Sequence, residues 1–257
     1  MSGGHSHSYH LVEPSPWPAV GAMAAFVLAV GAIMFMHEMP FGGSIAIFGF
    51  LAILFTMYMW WRDVIKEAEY QGHHTPIVQL GMRYGMLLFI ASEVMFFTGL
   101  IGAYIILRNA TPNWPLPAER LSLGLTAFMT FLLIISSMTL VLALSAIQRG
   151  AQARFRMFLG LTVLLGVAFV GLQAYEWSHF LAHSTPGTDM FWGMFYTLTG
   201  FHGAHVTIGV IALAICYVRA LRGGYTEERH GDIEMTGLYW HFVDLVWIIL
   251  FTIIYLI

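Results

Sequence analysis

Seven long apolar runs, separated by short polar stretches, constrain what this chain can fold into more than any other feature of its sequence. The runs cover residues 17–36, 41–61, 84–107, 121–147, 157–180, 190–218 and 235–257. A helix needs about 20 apolar residues to cross the hydrocarbon core of a bilayer, and each run is long enough to do so. The sequence therefore predicts an all-α integral membrane protein with seven transmembrane helices.

The composition agrees with a membrane location and excludes several other classes of protein. Of the 257 residues, 58% are hydrophobic and only 10% are charged, whereas soluble domains are about 25% charged. The net charge of -3 is small and dispersed, which argues against a nucleic-acid partner. Cys216 is the single cysteine, so the sequence permits neither an intrachain disulfide nor a thiolate metal cluster.

Basic residues indicate how the helices are oriented, because Lys and Arg are retained on the cytoplasmic side of a membrane. Of the 11 Lys and Arg residues, only Arg108 and Arg120 flank the loops of one face. The other nine flank the second, fourth and sixth loops on the opposite face. This asymmetry predicts that the N-terminus lies inside and the C-terminus outside, as an odd number of spans requires.

The runs divide the chain into four predicted segments: an N-terminal tail at 1–16, helices one and two at 17–61, an inner loop at 62–83 and helices three to seven at 84–257. The loop sequence RDVIKEAEYQGHHTP alternates charges and ends in a turn, which favours a short interfacial helix that stops before Pro76. We interpret this loop as the boundary between a two-helix pair and a five-helix bundle.

One carboxylate, Glu93, lies near the middle of the third run, in LLFIASEVMFFTGLIGAY. An ionised carboxylate at the bilayer centre costs at least about 2.5 kcal/mol. Glu93 is therefore expected to be protonated, to be paired, or to face protein or water. Proton carriage and structural hydrogen bonding both stay open for this residue, and we favour the structural role because no chain of acids flanks it.

Three further pairs of polar residues lie within the runs at a spacing of i, i+3, which puts both members on one face of a helix. They are Glu176 with His179, His202 with His205, and His241 with Asp244. The pattern predicts polar side chains pointing into one bundle interior, either as a metal site or as a hydrogen-bonded network between helices. We favour the network, because bundle metal sites carry the Glu-x-x-His motif in pairs and within the apolar runs it occurs once, in EWSH.

A cluster of aromatic and charged side chains marks the inner end of the second run. Tryptophans at that depth are typical of the membrane interface, and cations beside aromatic rings at headgroup level can hold lipid phosphates. The sequence thus predicts a phospholipid site formed by Trp61, Arg62, Lys66, Glu67, Tyr70 and His74.

Five motifs along nearly the whole chain resemble subunit III of the haem-copper cytochrome c oxidases. They are YHLVEPSPWP, MYMWWRDVIKEAEYQGHHTPIVQLGMRYGM, FIASEVMFFTG, TGFHGAHVTIG and YWHFVDLVWIILFTIIY. The resemblance implies seven transmembrane helices, arranged as a two-helix pair and a five-helix bundle with a lipid-holding cleft between them. It also implies a non-catalytic subunit that stabilises the catalytic subunits and supports proton uptake while oxygen is reduced to water.

The same resemblance implies cofactors and partners. Haem and copper are expected in partner subunits I and II, this chain is expected to bind structural phospholipids and no metal, and cytochrome c is an indirect partner. Glu93 matches the family's membrane-buried glutamate, which reacts with a hydrophobic carbodiimide. The positions that match lipid-headgroup contacts in the family are Trp61, Glu67, His74, Arg219 and Arg222.

Other readings of the residues stay open at this point. The runner-up is an independent membrane metalloenzyme that uses Glu176, His179, His202, His205 and His241, and a closely related subunit occurs in quinol oxidases. A transporter with Glu93 as its proton site is disfavoured, because the sequence lacks matched Gly/Pro-interrupted helices. The short loop RNATPNWPLPAER and the N-terminal sequence are typical of a bacterial enzyme, which predicts the bacterial cytoplasmic membrane.

Overall fold

The fold is described from a computed structural model, which covers residues 15–69, 75–115 and 121–257. Seven α-helices lie in these residues: α1 (Trp17–Met36), α2 (Gly42–Glu69), α3 (Pro76–Ala110), α4 (Leu123–Ile147), α5 (Gln152–Leu181), α6 (Met190–Leu221) and α7 (Gly231–Leu250). A π-helix at Phe251–Leu256 continues α7. All seven are long and apolar enough to cross a membrane, which confirms the predicted all-α membrane fold.

Several helices extend beyond the apolar runs that predicted them. Helix α2 continues to Glu69 and α3 begins at Pro76, so helix covers most of the segment assigned to an inner loop at 62–83. Hydropathy indicates where a chain leaves the hydrocarbon, which need not be where the helix ends. Arg62, Lys66 and Glu67, which follow Trp61, are good helix formers, so α2 continues past the apolar run. Proline is also well tolerated in the first turn of a helix, which suits the start of α3.

The chain divides into two compact units, the first ending at Met82 and the second spanning Arg83–Ile257. In the first unit α1 and α2 form a hairpin whose backbones approach closely at three glycines. A Cβ atom on Gly31 would collide with the backbone of Ala46, and one on Gly49 would collide with the backbone of Leu28. Gly42 lies equally close to the backbone of α1. Where α1 begins, the Trp17 Nε1 atom donates to Asp63 Oδ2 of α2 at 2.7 Å.

In the second unit, α4, α6 and α7 contribute most of the buried side chains. Trp240 of α7 is fully buried and donates from Nε1 to Ser136 Oγ at 3.0 Å. Its ring lies against Gly166 and Gly209, where a Cβ atom would come within 2.9 Å and 2.8 Å of ring carbons. Small residues on α5 and α6 thus let both helices pack directly on this indole.

Helix α3 joins the second unit through side chains on one of its faces. Phe97 and Tyr104 are buried, and the Tyr104 hydroxyl donates to the carbonyl of Ile253 at 3.3 Å. Near the end of α3, Arg108 Nη2 donates to the carbonyl of Ile257 at 2.5 Å. Most other apolar side chains of α3 are exposed in the chain by itself.

The close approach in the α1–α2 hairpin makes its glycines sensitive to a single methyl group. Gly49→Ala is expected to lower the free energy of unfolding by about 1–3 kcal/mol, because overpacking against a backbone cannot be relieved by a side-chain rotation. Thermal unfolding in mild detergent measures this change. Gly21→Ala is the matched control, since its Cβ would lie 3.5 Å from Thr56 Cγ2, an ordinary contact. Equal stability of the two variants would contradict the close approach.

Candidate functional site

The glutamate that lies deep in α3 is paired with a histidine of α6. Glu93 Oε2 lies 3.0 Å from His205 Nε2. The other ring nitrogen of His205, Nδ1, lies 2.6 Å from the carbonyl oxygen of Phe201, one turn earlier in α6. Both nitrogens of the imidazole therefore have an oxygen partner.

These two contacts determine how many protons the pair holds. A carbonyl oxygen only accepts hydrogen bonds, so His205 Nδ1 must carry a hydrogen and donate to Phe201. In a neutral ring Nε2 is then an acceptor, and a bond to Glu93 requires a proton on the carboxyl group. If Nε2 is protonated as well, an imidazolium faces a carboxylate. Either way one proton lies between the two groups and the pair has no net charge, which removes most of the cost of placing a carboxyl group in hydrocarbon.

Aromatic side chains surround the pair without sealing it. The rings of Phe97 and Phe96 lie 5.0 Å and 6.1 Å from the imidazole, and the Tyr239 hydroxyl donates to the backbone carbonyl of His205 at 3.1 Å. The side chains of Glu93 and His205 remain 18% and 16% exposed in the chain by itself. The carboxyl group is thus positioned firmly while one side of it stays accessible.

Glu176 of α5 is a second buried carboxyl group, and its surroundings differ. It is 1% exposed, and its two oxygens lie 3.0 Å from Thr126 Oγ1 and 3.1 Å from the Tyr255 hydroxyl. Thr126 Oγ1 also lies 3.0 Å from the carbonyl oxygen of Ser122. A threonine hydroxyl has one hydrogen, so it can serve both oxygens only if Glu176 is protonated and donates to Thr126. The contacts therefore favour a neutral Glu176.

His202 and His205 do not point into the same space, although they share the predicted i, i+3 spacing. His202 is fully buried, with Nε2 3.2 Å from the carbonyl oxygen of Val243 and its ring stacked on Trp247 at 4.8 Å between centroids. Since Val243 can only accept, Nε2 carries the hydrogen. His202 thus fastens α6 to α7, while His205 faces α3.

The remaining predicted network residues lie in two places: His241 and Asp244 near Ser137 of α4, and His179 at the end of α5. His241 Nδ1 lies 2.5 Å from Ser137 Oγ on α4. Asp244 is 5% exposed, and its carboxyl group interacts with the same Ser137 side chain. His179 lies at the exposed end of α5, with its ring centroid 6.0 Å from that of His183. The structure therefore distributes the predicted polar residues over several helix contacts and does not join them into one network.

This dispersal also bears on the alternative of a metalloenzyme. Within residues 15–69, 75–115 and 121–257, no group of three or more His, Cys, Asp or Glu side chains is placed to hold a metal ion. The five residues that the alternative would use lie in different contacts, as described above. No metal-site geometry in this part of the chain supports that reading.

The predicted lipid residues that the structure describes lie in the last turns of α2 and at the end of α6. Trp61 is 60% exposed, Arg62 lies 3.3 Å from Asp63, and Lys66 is exposed in the last turn of α2. Glu67 is half-buried on the same helix. Tyr70 and His74 lie outside the described residues.

Arg219 and Arg222, at the end of α6, differ from each other. Arg219 Nη1 lies 3.1 Å from Asp232 Oδ2, and its guanidinium lies 5.2 Å from the ring centre of Tyr225. Burial, and then the nearby Cys216 and Asp232, raise the pKa of the Tyr225 phenol, so it stays protonated and donates to Asp232 at 2.8 Å. Arg219 is therefore part of a structural cluster, whereas Arg222 is exposed at the C-cap of α6.

Sequence reasoning did not identify the partners that determine these sites. Ser137, Thr126 and Tyr255 come from helices distant in the chain from the residues that they contact. Hydroxyl residues are common in membrane helices, where they also bond to their own backbone, as Thr199 Oγ1 does to Phe195 at 2.7 Å. No local spacing distinguishes the two uses.

Comparisons with known proteins place these observations in a family. A family model described as Cytochrome c oxidase subunit III matches residues 7–257. Among similar proteins, "Cytochrome c oxidase subunit 3" of Arabidopsis thaliana is 42% identical over 97% of this chain and 96% of its own length. The proteins of the same name from Marchantia polymorpha and Cyprinus carpio are each 40% identical, over 99% and 97% of this chain and 98% and 97% of their own lengths.

Proposed function

Because the chain belongs to the cytochrome c oxidase subunit III family, we propose that it is a non-catalytic integral subunit of a proton-pumping oxidase. In this role it stabilises the catalytic subunits, binds structural phospholipids and supports proton uptake during the reduction of oxygen to water. The observation that carries the proposal is the family match, which extends over residues 7–257. Membership of this family places the chain in a multi-subunit oxidase complex.

The partners and cofactors of the proposal follow from the same premise. Subunits I and II supply haem and copper, cytochrome c delivers electrons through them, and this chain carries no redox centre. A quinol oxidase is the second candidate, since a related subunit serves that class. The dispersal of the buried histidines over separate helix contacts supports a structural role for them.

The chain is a multi-pass membrane protein, and we infer its orientation and location from its charges. Nine of the 11 Lys and Arg residues lie in or beside the connections α2–α3, α4–α5 and α6–α7, which supports an N-terminus inside and a C-terminus outside. The location that we propose is a bacterial cytoplasmic membrane. This location is inferred from the sequence of the loop between α3 and α4 and from the N-terminal sequence. The relatives named above do not supply it, because they come from two plants and a fish.

Purification of the tagged chain in mild detergent tests the proposal. We expect haem absorbance and copper to purify with the chain, and both to leave with the partner subunits when a harsher detergent separates them. Optical spectra and metal analysis before and after that step are the measurements. Stoichiometric metal that stays with the isolated chain would overturn the proposal and favour a metalloenzyme.

We also propose that Glu93 is linked to proton uptake, and the geometry of its pair with His205 supports this. One proton lies between the two groups, and the carboxyl group is not fully enclosed. A shared proton at a position that is not fully enclosed can exchange with a water molecule that reaches the carboxyl group during turnover. The fully enclosed Glu176 has no such access.

Substitutions at Glu93 separate a proton-linked role from a structural one. Glu93→Gln keeps a donor for His205 Nε2 and is expected to leave thermal stability nearly unchanged, while oxidase activity is lost faster during turnover. Glu93→Leu leaves Nε2 without a partner and is expected to cost about 1–3 kcal/mol of stability as well. Activity over successive turnovers and unfolding in mild detergent are the two measurements. If Glu93→Gln pumps protons and survives turnover like the parent oxidase, the residue is structural only.

Phospholipid binding at the inner end of α2 is the third part of the proposal. Trp61, Arg62 and Lys66 are exposed there, and they combine an aromatic side chain with two cations at headgroup depth. Arg222, exposed at the end of α6, is the further cation that we assign to lipid. Arg219 is assigned a structural role instead, because it is engaged by Asp232.

Charge removal tests the lipid site. The double substitution Arg62→Gln and Lys66→Gln is expected to weaken binding of anionic phospholipid about 30-fold, since each basic residue contributes about 1 kcal/mol near a membrane surface. Mass spectrometry of co-purified lipid measures the loss. Arg149→Gln with Arg154→Gln is the matched control, because it removes the same charge from exposed inner-face positions. Equal lipid content in the two double variants would contradict the site.

A further inference from the structure

A groove between α5 and α6 is open at the surface of the second unit. Its volume is about 230 Å³. Gln173, Ala174 and Trp177 line it from α5, and the small residues Gly200, Gly203 and Ala204 line much of it from α6. Small residues on adjacent positions of a membrane helix allow the backbone of another helix to approach closely.

Gln173 places an unpaired hydrogen-bond acceptor at this groove. The residue is 6% exposed, and its Nε2 atom donates to the carbonyl of Thr199 at 3.0 Å. That bond determines the orientation of the amide, because the carbonyl of Thr199 can only accept. Oε1 is left without a partner among the described residues. It faces Gly203, where a Cβ atom would lie 3.2 Å away.

Trp177 places an unpaired donor one turn further along the same helix. Its Nε1 atom is buried and has no hydrogen-bond partner in the described part of the chain. The indole ring lies over Gly200, where a Cβ atom would come within 3.0 Å of it. Residues four apart lie on one face of a helix, so the acceptor and the donor belong to the same side of the groove.

The depth of the groove makes the unpaired acceptor of Gln173 unfavourable in lipid. Gln173 lies eight residues before the end of α5 at Leu181, which is about 12 Å along the helix axis. Helix α5 has 30 residues and is about 45 Å long, so its ends project beyond a hydrocarbon core of about 30 Å. Gln173 therefore lies inside the hydrocarbon region, where lipid tails offer no hydrogen bonds and unsatisfied polar groups are costly.

The chemistry of these atoms distinguishes between candidate ligands. An acyl chain offers neither a donor nor an acceptor, and the ester carbonyls of a phospholipid only accept. A hydroxyl group donates one hydrogen and also accepts, so it can serve both Gln173 Oε1 and Trp177 Nε1. The groove is also smaller than the roughly 300–1,000 Å³ of typical small-molecule sites, and its size suits a protein side chain.

We propose that the α5–α6 groove docks a transmembrane helix of a partner subunit, which inserts a Ser, Thr or Tyr side chain between Gln173 and Trp177. Both atoms are buried in the chain by itself, so the two side chains rotate when the partner docks; its hydroxyl then donates to Gln173 Oε1 and accepts from Trp177 Nε1. The inference rests on the proposed function, since it requires that the chain is assembled with other membrane subunits. The proposal assigns the α5–α6 groove to one contact between this chain and a partner subunit.

Photo-crosslinking in the purified complex tests the docking site. A diazirine amino acid is incorporated at position 204, in the groove, and as a control at position 164, where Leu164 is 64% exposed on α5. We expect crosslinks from position 204 to a transmembrane segment of a partner subunit, within one turn of a Ser, Thr or Tyr residue. Crosslinks only to lipid, or to a second copy of this chain, would overturn the proposal.

Two further variants test the hydroxyl contact itself. Gln173→Met and Trp177→Phe remove the acceptor and the donor while keeping an apolar side chain in place. Each is expected to lower the crosslinking yield from position 204 by about 2- to 10-fold, the effect of one hydrogen bond. Unchanged yields in both variants would contradict the contact.

The design distinguishes failure of this inference from failure of the proposed function. If haem and copper purify with the chain but position 204 crosslinks only to lipid, the oxidase role stands and the docking site does not. If no haem-containing partner purifies with the chain, the proposed function itself fails, and the docking site fails with it.

Discussion

Hydrocarbon offers no hydrogen-bond partners, and this constraint decides how the polar side chains of the membrane-spanning helices are placed. Many hydroxyl groups bond to a carbonyl of their own helix, as Thr207 does to Gly203 at 2.8 Å. Others join two helices, as Thr130 does when it accepts from Trp247 Nε1 at 2.9 Å. The packing of α4 to α7 thus depends on hydrogen bonds between their polar groups as well as on apolar contact.

The same constraint separates the two buried glutamates. Both have contacts that are compatible with a neutral carboxyl group, but the partners differ in kind. Glu176 is enclosed by hydroxyl groups of Thr126 and Tyr255. These groups form hydrogen bonds to the carboxyl group but are too weakly basic to accept its proton. Glu93 faces the basic nitrogen of His205 and keeps an accessible side. This difference supports the proposed proton-linked function of Glu93, whereas the contacts of Glu176 join α4, α5 and the π-helix.

Positions where the chain does not satisfy its own polar groups are as informative as those where it does. Gln173 and Trp177 leave a donor and an acceptor unpaired beside a groove on the surface. In a soluble protein, water could pair with such groups after a small side-chain movement. In hydrocarbon no water is present to pair with Gln173, and this supports the proposed docking of a helix from another subunit at this surface.

The sequence by itself determined the seven helices, the position of Glu93 near the middle of α3, and the family, because hydropathy and contiguous motifs are local properties of the chain. It did not determine where helix ends lie, since the charged residues that leave the membrane after Trp61 continue as helix to Glu69. Only the tertiary structure decided that His202 faces Val243 while His205 faces Glu93. Positions three apart differ by about 60° around a helix axis. Because different helices lie on the two sides of α6, that angle is enough to give the two histidines different partners. The sequence did not predict the partners of Glu176 and Gln173 for the same reason. Those contacts depend on which helices are adjacent and on the register between the helices.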